Sequence, residues 1–324
     1  MIIGYLADGP WAHEALELMI SDDQIDVEFI VPRFANQDPV LRDMAAANEI
    51  DFLPMRNVND ADSLHLLASY EVDLLVSMSF DQIFRSEIIK LAPKGIINCH
   101  ASALPFYRGR NVLNWALIND EREFGVTVHQ VDEGIDTGDI IVQTLSVIED
   151  GDTYESLLQR AVTLCASALH DAVRRIANGT AEPVSQSSIH PYGSYTGRRV
   201  QGDEWIDWNW TSRRIYNFIR AITTPGPCAR TCVDGVEMRV RSAELLPDAP
   251  IYIATAGEVV GNAGKAIHVK TGDSVIALTE VEADQDLRLH IGKRLQPQTK
   301  WREHLLERRL DALEKKVGEL LAEG

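Results

Sequence analysis

Short apolar runs alternate with stretches of helical period through the first hundred residues. Residues 2–6, 27–31, 51–53, 73–77 and 95–99 read as strands, bounded by turn residues. Between them, residues 12–20, 63–70 and 86–91 carry apolar side chains at helical spacing. Asp38-Pro39 opens a further helix, with the aspartate as cap and the proline at the first helical position. Strands alternating with helices predict an α/β fold with a doubly wound, mostly parallel sheet. Residues 125–130 read as one more strand, and Gly151-Asp152-Thr153 starts a long helix reaching about residue 178. Its apolar stripe is Leu157, Leu158, Ala161, Leu164, Cys165, Ala168, Leu169 and Val173.

The pattern changes after that helix. Residues 179–202 are rich in Ser, Gly, Pro, Tyr and Arg and read as a linker. A helix over 212–222 follows, then short strands over 229–233, 237–245, 257–260, 266–271 and 274–281, which predict a small OB-like β-barrel. Leu306, Leu310, Leu313, Val317 and Leu320 are spaced 4, 3, 4, 3 in the tail. That spacing fits a coiled-coil seam between subunits, making a homo-oligomer, or a helix docked on its own subunit. The expected organisation is a first domain over 1–180, a linker over 181–204, an OB-like domain over 205–294 and a C-terminal helix over 299–324.

With 324 residues, 45% of them hydrophobic, the chain has enough apolar surface for two cores. Its formal net charge of −18 disfavours nucleic acid as a partner, because such binding leans on Lys and Arg to neutralise phosphates. The OB-like stretch gives no contrary signal, since residues 203–293 hold ten Lys plus Arg against thirteen Asp plus Glu. No apolar run is long enough to span a membrane, and the chain opens on a strand pattern instead of a leader. Four scattered cysteines, Cys99, Cys165, Cys228 and Cys232, fit a reducing cytoplasm. Cys228 and Cys232 lack companion ligands and read as strand residues, so no metal is expected. Neither a dinucleotide fingerprint nor Walker spacing is present.

Candidate chemistry centres on Asn98-Cys99-His100. Alternation along a strand turns Asn98 and His100 to one side, at the carboxyl end, where open α/β sheets bind ligands. Asp136 lies in a second polar loop, Asp132-Glu133-Gly134-Ile135-Asp136-Thr137-Gly138-Asp139. An amide that donates to an oxyanion, an imidazole that moves a proton and a carboxylate that orients it suit acyl transfer. The ordered set Asn98-x-His100, Ser102-Ala103-Leu104-Pro105, Tyr107-Arg108-Gly109 and Gly134-Ile135-Asp136-Thr137-Gly138 resembles the folate-dependent formyltransferases. Ala103 departs from the leucine of many relatives. The Ile206-Asp207-Trp208, Ile219-Arg220-Ala221 and Pro225-Gly226-Pro227 pattern resembles the C-terminal domain of the methionyl-tRNA and aminoarabinose members.

The resemblance implies that Asn98, His100 and Asp136 form the catalytic triad and that N10-formyltetrahydrofolate is the formyl donor. It implies a pterin slot between Phe80-Asp81-Gln82-Ile83-Phe84 and Val131-Asp132-Glu133-Gly134, with Phe80, Ile83 and Phe84 against the ring. Without it, these apolar residues read as ordinary core. The acceptor side is expected to use Pro10, Trp11, Ser102, Tyr107, Arg108, Gly109, Arg110, Asn111 and Trp115. Arg108 or Arg110 suits a diphosphate, and Tyr107 or Trp115 a base or sugar face. Trp115 equally reads as a core anchor of its helix. A nucleotide-linked amino sugar is the expected acceptor, with transfer to initiator tRNA or hydrolysis of the donor as the alternatives.

Overall fold

β1 (Ile2–Ala7) is buried from Ile3 onward, which explains why its sequence runs apolar instead of alternating. The computed structural model describes residues 1–285 and 287–323. They divide into two units. The first comprises Met1–Ala116, Arg122–Glu149 and Ser156–Arg198; the second comprises Leu117–Glu121, Asp150–Glu155 and the chain from Arg199 onward.

In the first unit β1 is followed by α1 (Pro10–Ile20), β2 (Asp26–Val31), α2 (Pro39–Ala47), β3 (Asp51–Phe52), α3 (Ala61–Ala68), β4 (Leu74–Met78), α4 (Ser86–Ile89) and β5 (Ile96–His100). Then come β6 (Arg108–Gly109), α5 (Val112–Ile118), β7 (Glu123–Gln130), β8 (Ile140–Val147), α6 (Tyr154–Ala177), α7 (Gln186–Ile189) and β9 (Tyr195–Thr196). The main sheet has the order β3-β2-β1-β4-β5-β7-β8. Its first five strands are parallel. The order reverses between β1 and β4, which opens a crevice at the strands' carboxyl ends. Gly4 is needed in β1, because a Cβ there would fall 2.2 Å from the ring of Phe29 on β2. Asp38 caps α2 by accepting from the Val40 and Leu41 amides, as the Asp-Pro signal predicts.

The sheet is mostly parallel, as expected, and its far side is antiparallel. β7 pairs with both β5 and β8 in antiparallel fashion. The loop between β7 and β8 contains no helix, so it cannot make the crossover that parallel pairing needs. β8 itself escaped the sequence reading: it is an edge strand, and Leu145 and Val147 face solvent, which blurs its apolar signature. Residues 186–197, expected within a linker, are fixed in this unit instead. β9 pairs with β6, and the Ile140 and Val184 backbones exchange hydrogen bonds of 2.8 Å.

The second unit contains α8 (Ser212–Ile222), β10 (Ala229–Val233), β11 (Val236–Leu245), β12 (Val259–Ala263), β13 (Ala266–Lys270), β14 (Val275–Ala283) and α9 (Gln298–Glu323). The five strands form an antiparallel sheet ordered β10-β11-β14-β13-β12. Residues 293–296 run between its two edges. Gln296 exchanges backbone bonds with Cys232 on β10, Leu295 donates to Gly257 and Val259 donates to Lys293. This extended segment covers both open edges, the role that closure plays in a barrel. Gly257, at φ 84°, belongs to that crossing and not to a strand, because a Cβ would meet the Leu295 carbonyl at 2.2 Å. All four cysteines are buried and free. Among the described residues no helix is long and apolar enough to cross a membrane, and no cluster of three or more His, Cys, Asp or Glu could hold a metal ion.

Candidate active site

Three backbone devices bring the site together in the first unit. β5 delivers Asn98 and His100 to one face of its carboxyl end. β7 delivers His129, because antiparallel register sets His129 directly opposite Asn98. The β7–β8 loop delivers Asp136, whose backbone turns through φ 54°. Asn98 Nδ2 lies 3.4 Å from His129 Nε2. The Asp136 carboxylate spans the two histidines, with Oδ2 3.7 Å from His100 Nδ1 and Oδ1 3.5 Å from His129 Nε2. The three residues expected to act together therefore converge, and a fourth joins them.

The ring nitrogens have distinct roles. His100 Nε2 donates to the Tyr107 carbonyl at 2.9 Å, since a carbonyl can only accept. That leaves Nδ1 directed at Asp136 and able to take a proton. His129 Nδ1 likewise donates to the Gln130 carbonyl at 2.7 Å, leaving Nε2 to orient the Asn98 amide. Burial is the largest influence on His100 and lowers its pKa, although Asp136 and the Tyr107 carbonyl pull the other way. Burial also acts most strongly on Asp136, pushing its pKa up. In their charged forms the two imidazoles, with His129 then able to donate from Nε2, outweigh it together with the Gly109 amide, and the carboxyl is held at about 2. The site thus pairs a standing carboxylate with an imidazole kept neutral.

Asp136 is held from several sides. The Gly109 amide donates to Oδ2 at 2.9 Å. Gly109 sits at φ 99°, and a Cβ there would meet the Thr196 carbonyl at 2.4 Å, so only glycine admits this approach. Gln186, 2% exposed, donates from Nε2 to the Asp136 and Gly138 carbonyls at 2.9 and 2.8 Å. Its Oε1 accepts from Arg108 Nε and Nη2 at 3.0 and 2.7 Å. Gln186 and His129 were both missed from the sequence. The signal for His129 was there, since it alternates with Thr127 along the strand, but its significance depends on antiparallel pairing with β5. No local signal marks Gln186.

The other expected site residues fall into two groups. Phe80 and Phe84 stack at 5.8 Å with planes 4° apart, and both pack on the core cluster around Phe29, as does Val131. Their rings occupy the space between themselves, so they present a wall and not two sides of a sandwich. Ile83 beside them is 72% exposed. Gln82 staples the neighbouring loop, accepting from the Val58 amide and donating to the Met55 carbonyl. Asp132 accepts from the Gly134 amide and from Thr137 Oγ1 and so shapes the Asp136 loop, while Glu133 accepts from Ser86.

On the acceptor side, Ser102 is buried, with its hydroxyl on the Phe106 carbonyl. Arg108 is buried against Gln186 and lies over the Tyr195 ring. Arg110, Asn111 and Pro10 are exposed; Trp11, Tyr107 and Trp115 are half-buried. Trp115 Nε1 donates to the Gly197 carbonyl at 3.3 Å. Two cavities, of about 460 and 360 Å³, open near Met1, Asp73 and Lys94 and near Ile97 and Gln130. The first lies at the amino ends of the parallel strands, away from the Asp136 loop, and neither includes a residue of the four-residue cluster.

Two family models match the chain: formyl transferase over residues 28–173 and formyl transferase, C-terminal domain, over 200–295. A methionyl-tRNA formyltransferase of Pelotomaculum thermopropionicum is 34% identical over 254 residues, 78% of this chain and 79% of that protein. The chain belongs to the formyltransferase family. Among solved structures, WlaRD, described as a sugar 3N-formyl transferase with dTDP and 5-N-formyl-THF, superposes with a TM-score of 0.65. It is 23% identical, with 89% of this chain and 99% of that one covered. An N-formyltransferase from Helicobacter canadensis, in complex with folinic acid and dTDP-3-aminofucose, gives 0.64 at 23% identity, over 86% and 99% of the two chains. At that identity the two structures establish a shared fold.

The fourth residue gives this formyltransferase a testable feature. His129→Ala is expected to lower kcat about 5-fold with little change in the KM for donor, since it removes one hydrogen bond worth about 1 kcal/mol from the Asn98 amide. His129→Gln, which keeps an acceptor opposite Asn98, should recover part of the loss. Steady-state kinetics with both variants checks this, and a fall confined to KM would show that His129 acts on binding instead.

Proposed function

We propose that the protein transfers a formyl group from N10-formyltetrahydrofolate to the amine of a nucleotide-linked amino sugar. The convergence of Asn98, His100 and Asp136 carries the chemistry. The donor supplies an activated formyl carbonyl. Asn98 Nδ2 donates to the carbonyl oxygen as it becomes an oxyanion under attack by the neutral amine. His100 Nδ1 accepts the proton that the attacking nitrogen sheds, and Asp136 stabilises the imidazolium so formed. His100 then returns a proton to the departing folate nitrogen as the oxyanion collapses to the amide.

The net charge of −18 supports the choice of acceptor. A tRNA needs an extended basic surface, whereas a sugar nucleotide needs one local cation, a role that suits exposed Arg110, three residues after Tyr107. Two solved structures with this fold carry dTDP or a dTDP-amino sugar, which agrees with this reading. A second reading is favoured by a different observation: the 34% identical relative is named a methionyl-tRNA formyltransferase.

Mass spectrometry of products separates these readings. The protein is incubated with donor and either a panel of nucleotide-linked amino sugars or initiator methionyl-tRNA. A sugar product with a mass gain of one formyl group supports the proposal, and formylation of the tRNA alone overturns it. Folate release at the same rate without any acceptor would assign the site to donor hydrolysis.

A further inference from the structure

The start of α9 is tied to its own unit. The Trp301 ring lies 5.6 Å from that of Trp205, and a Cβ at Gly235 would sit 3.0 Å from His304. From Leu305 to Val317 every residue is exposed. The apolar stripe expected from the sequence is among them, with Leu306 64%, Leu310 56%, Leu313 61% and Val317 53% exposed; the Leu320 side chain lies outside the described residues. In proteins most helical stability comes from packing an apolar face. A row of large apolar side chains at alternating four- and three-residue spacing marks the face that a partner helix would cover.

The charges beside that row choose the partner and its direction. With Leu306 and Leu313 at heptad position d and Leu310 and Val317 at a, position g holds Arg302, Arg309 and Lys316, and position e holds Glu307 and Glu314. In a parallel pair each g residue faces the e residue of the next heptad on the other chain. Arg302 then meets the partner's Glu307, and Arg309 meets the partner's Glu314, twice over by symmetry. In an antiparallel pair, g faces g and e faces e, which sets arginine against arginine and glutamate against glutamate. Residues 298–323 carry six Lys plus Arg and six Asp plus Glu, so this helix is neutral in a chain of net charge −18. Two such segments approach without the repulsion that the rest of the surface would impose. Glu307 also lies 3.4 Å from His304 of its own helix, an exposed contact that leaves its other oxygen available.

We propose that the seam of Leu306, Leu310, Leu313 and Val317 forms a parallel, two-stranded coiled coil with a second copy of this chain, with Glu303, at the a position before it, paired to Lys300 of its own helix outside the apolar seam. Leucine at d with β-branched Val317 at one of the two apolar a positions, the other being Leu310, leans toward two strands.

Sedimentation equilibrium of the full chain and a disulfide probe test this together. The expected mass is twice that of the chain, and Leu310→Asp should reduce it to one chain at the same concentration. Arg309→Glu should raise the dissociation constant about 10-fold, and adding Glu314→Arg should restore it. Because the four native cysteines are buried, Leu313→Cys adds an exposed thiol that meets itself only in the parallel register, so mild oxidation should give a covalent dimer. Retained formyl transfer per chain shows that each variant is folded. A single-chain mass at all micromolar concentrations overturns the proposal. So does a dimer that Leu310→Asp leaves intact, a mass of three chains, or failure of Leu313→Cys to cross-link.

Discussion

Asn98→Ala should lose about 10²- to 10³-fold in kcat while the KM for the formyl donor stays close to that of the wild type. Asn98 lies mid-way along β5, and its neighbours on both sides, Ser77 of β4 and His129 of β7, are fixed by register, so its amide has little freedom to move. Its Nδ2 carries two hydrogens. One is engaged by His129 Nε2 at 3.4 Å, and the other is left for a substrate oxygen. A donor aimed at an oxyanion binds the transition state more strongly than the ground-state carbonyl, and removing one typically costs about 2.7–4 kcal/mol. The cost therefore appears in kcat and not in donor affinity. Single-turnover formyl transfer, measured beside donor binding by fluorescence, checks this. Equal losses in binding and turnover would move Asn98 from oxyanion stabilisation to substrate binding.

How far the sequence reaches into this site depends on the distance over which each contact is encoded. Asn98 and His100 need only the period of a strand and the turn residues that end it, both of which are local. Asp136 was placed by a loop motif whose glycine-rich pattern fits its φ of 54° and the nearby hydrogen bonds of Asp132. His129 depends on which strand lies beside β5 and in which direction, and a mostly parallel sheet does not say which of its strands pairs antiparallel. Gln186 lies 50 residues from Asp136 along the chain, in a stretch whose turn-rich composition resembles a linker; only the packed structure shows it joining the Asp136 loop to Arg108. The second unit follows the same rule. Its five strands were visible in their alternation, whereas the segment 293–296 that covers both sheet edges was not, because such a segment has no periodicity of its own.

Arg108 illustrates what burial does to a reading by residue type. An arginine beside a tyrosine and a glycine in a polar loop looks like a phosphate ligand. Here its guanidinium is directed to Gln186, with Tyr192 and Tyr195 at 3.4 Å, and it supports the loop that carries Gly109. The Gly109 amide in turn holds Asp136. Arg108 thus supports the Asp136 loop from behind, and under the proposed function the exposed Arg110 is the one left to meet an acceptor phosphate.

Asp136→Asn should depress plateau kcat by about 10²- to 10⁴-fold and move the acidic limb of the kcat/KM profile to lower pH. The direction follows from the neighbours of His100. Burial, the dominant influence, and the nearby His129 lower its pKa, while the Asp136 charge and the Tyr107 carbonyl raise it. In the wild type the net result is a lowered value, so the acidic limb should lie below the ordinary histidine value of about 6.5. Replacing the carboxylate by a neutral amide removes one of the two opposing influences, and the imidazole becomes harder to protonate still. The same change removes the charge that stabilises the imidazolium during transfer, which lowers the plateau. A limb that stays fixed, or rises, would show that Asp136 does not act on His100 through its charge.

Stability gives an independent check on the same residue. The Asp136 carboxyl is held at about 2, below the ordinary value of about 3.9 for an unfolded chain. Its stabilising contribution is therefore complete above that ordinary value and fades as pH falls toward 2. Urea unfolding of the wild type and Asp136→Asn at a series of pH values should show the wild-type advantage shrinking through that window. A constant difference down to pH 2 would mean that the folded protein does not prefer the ionised form.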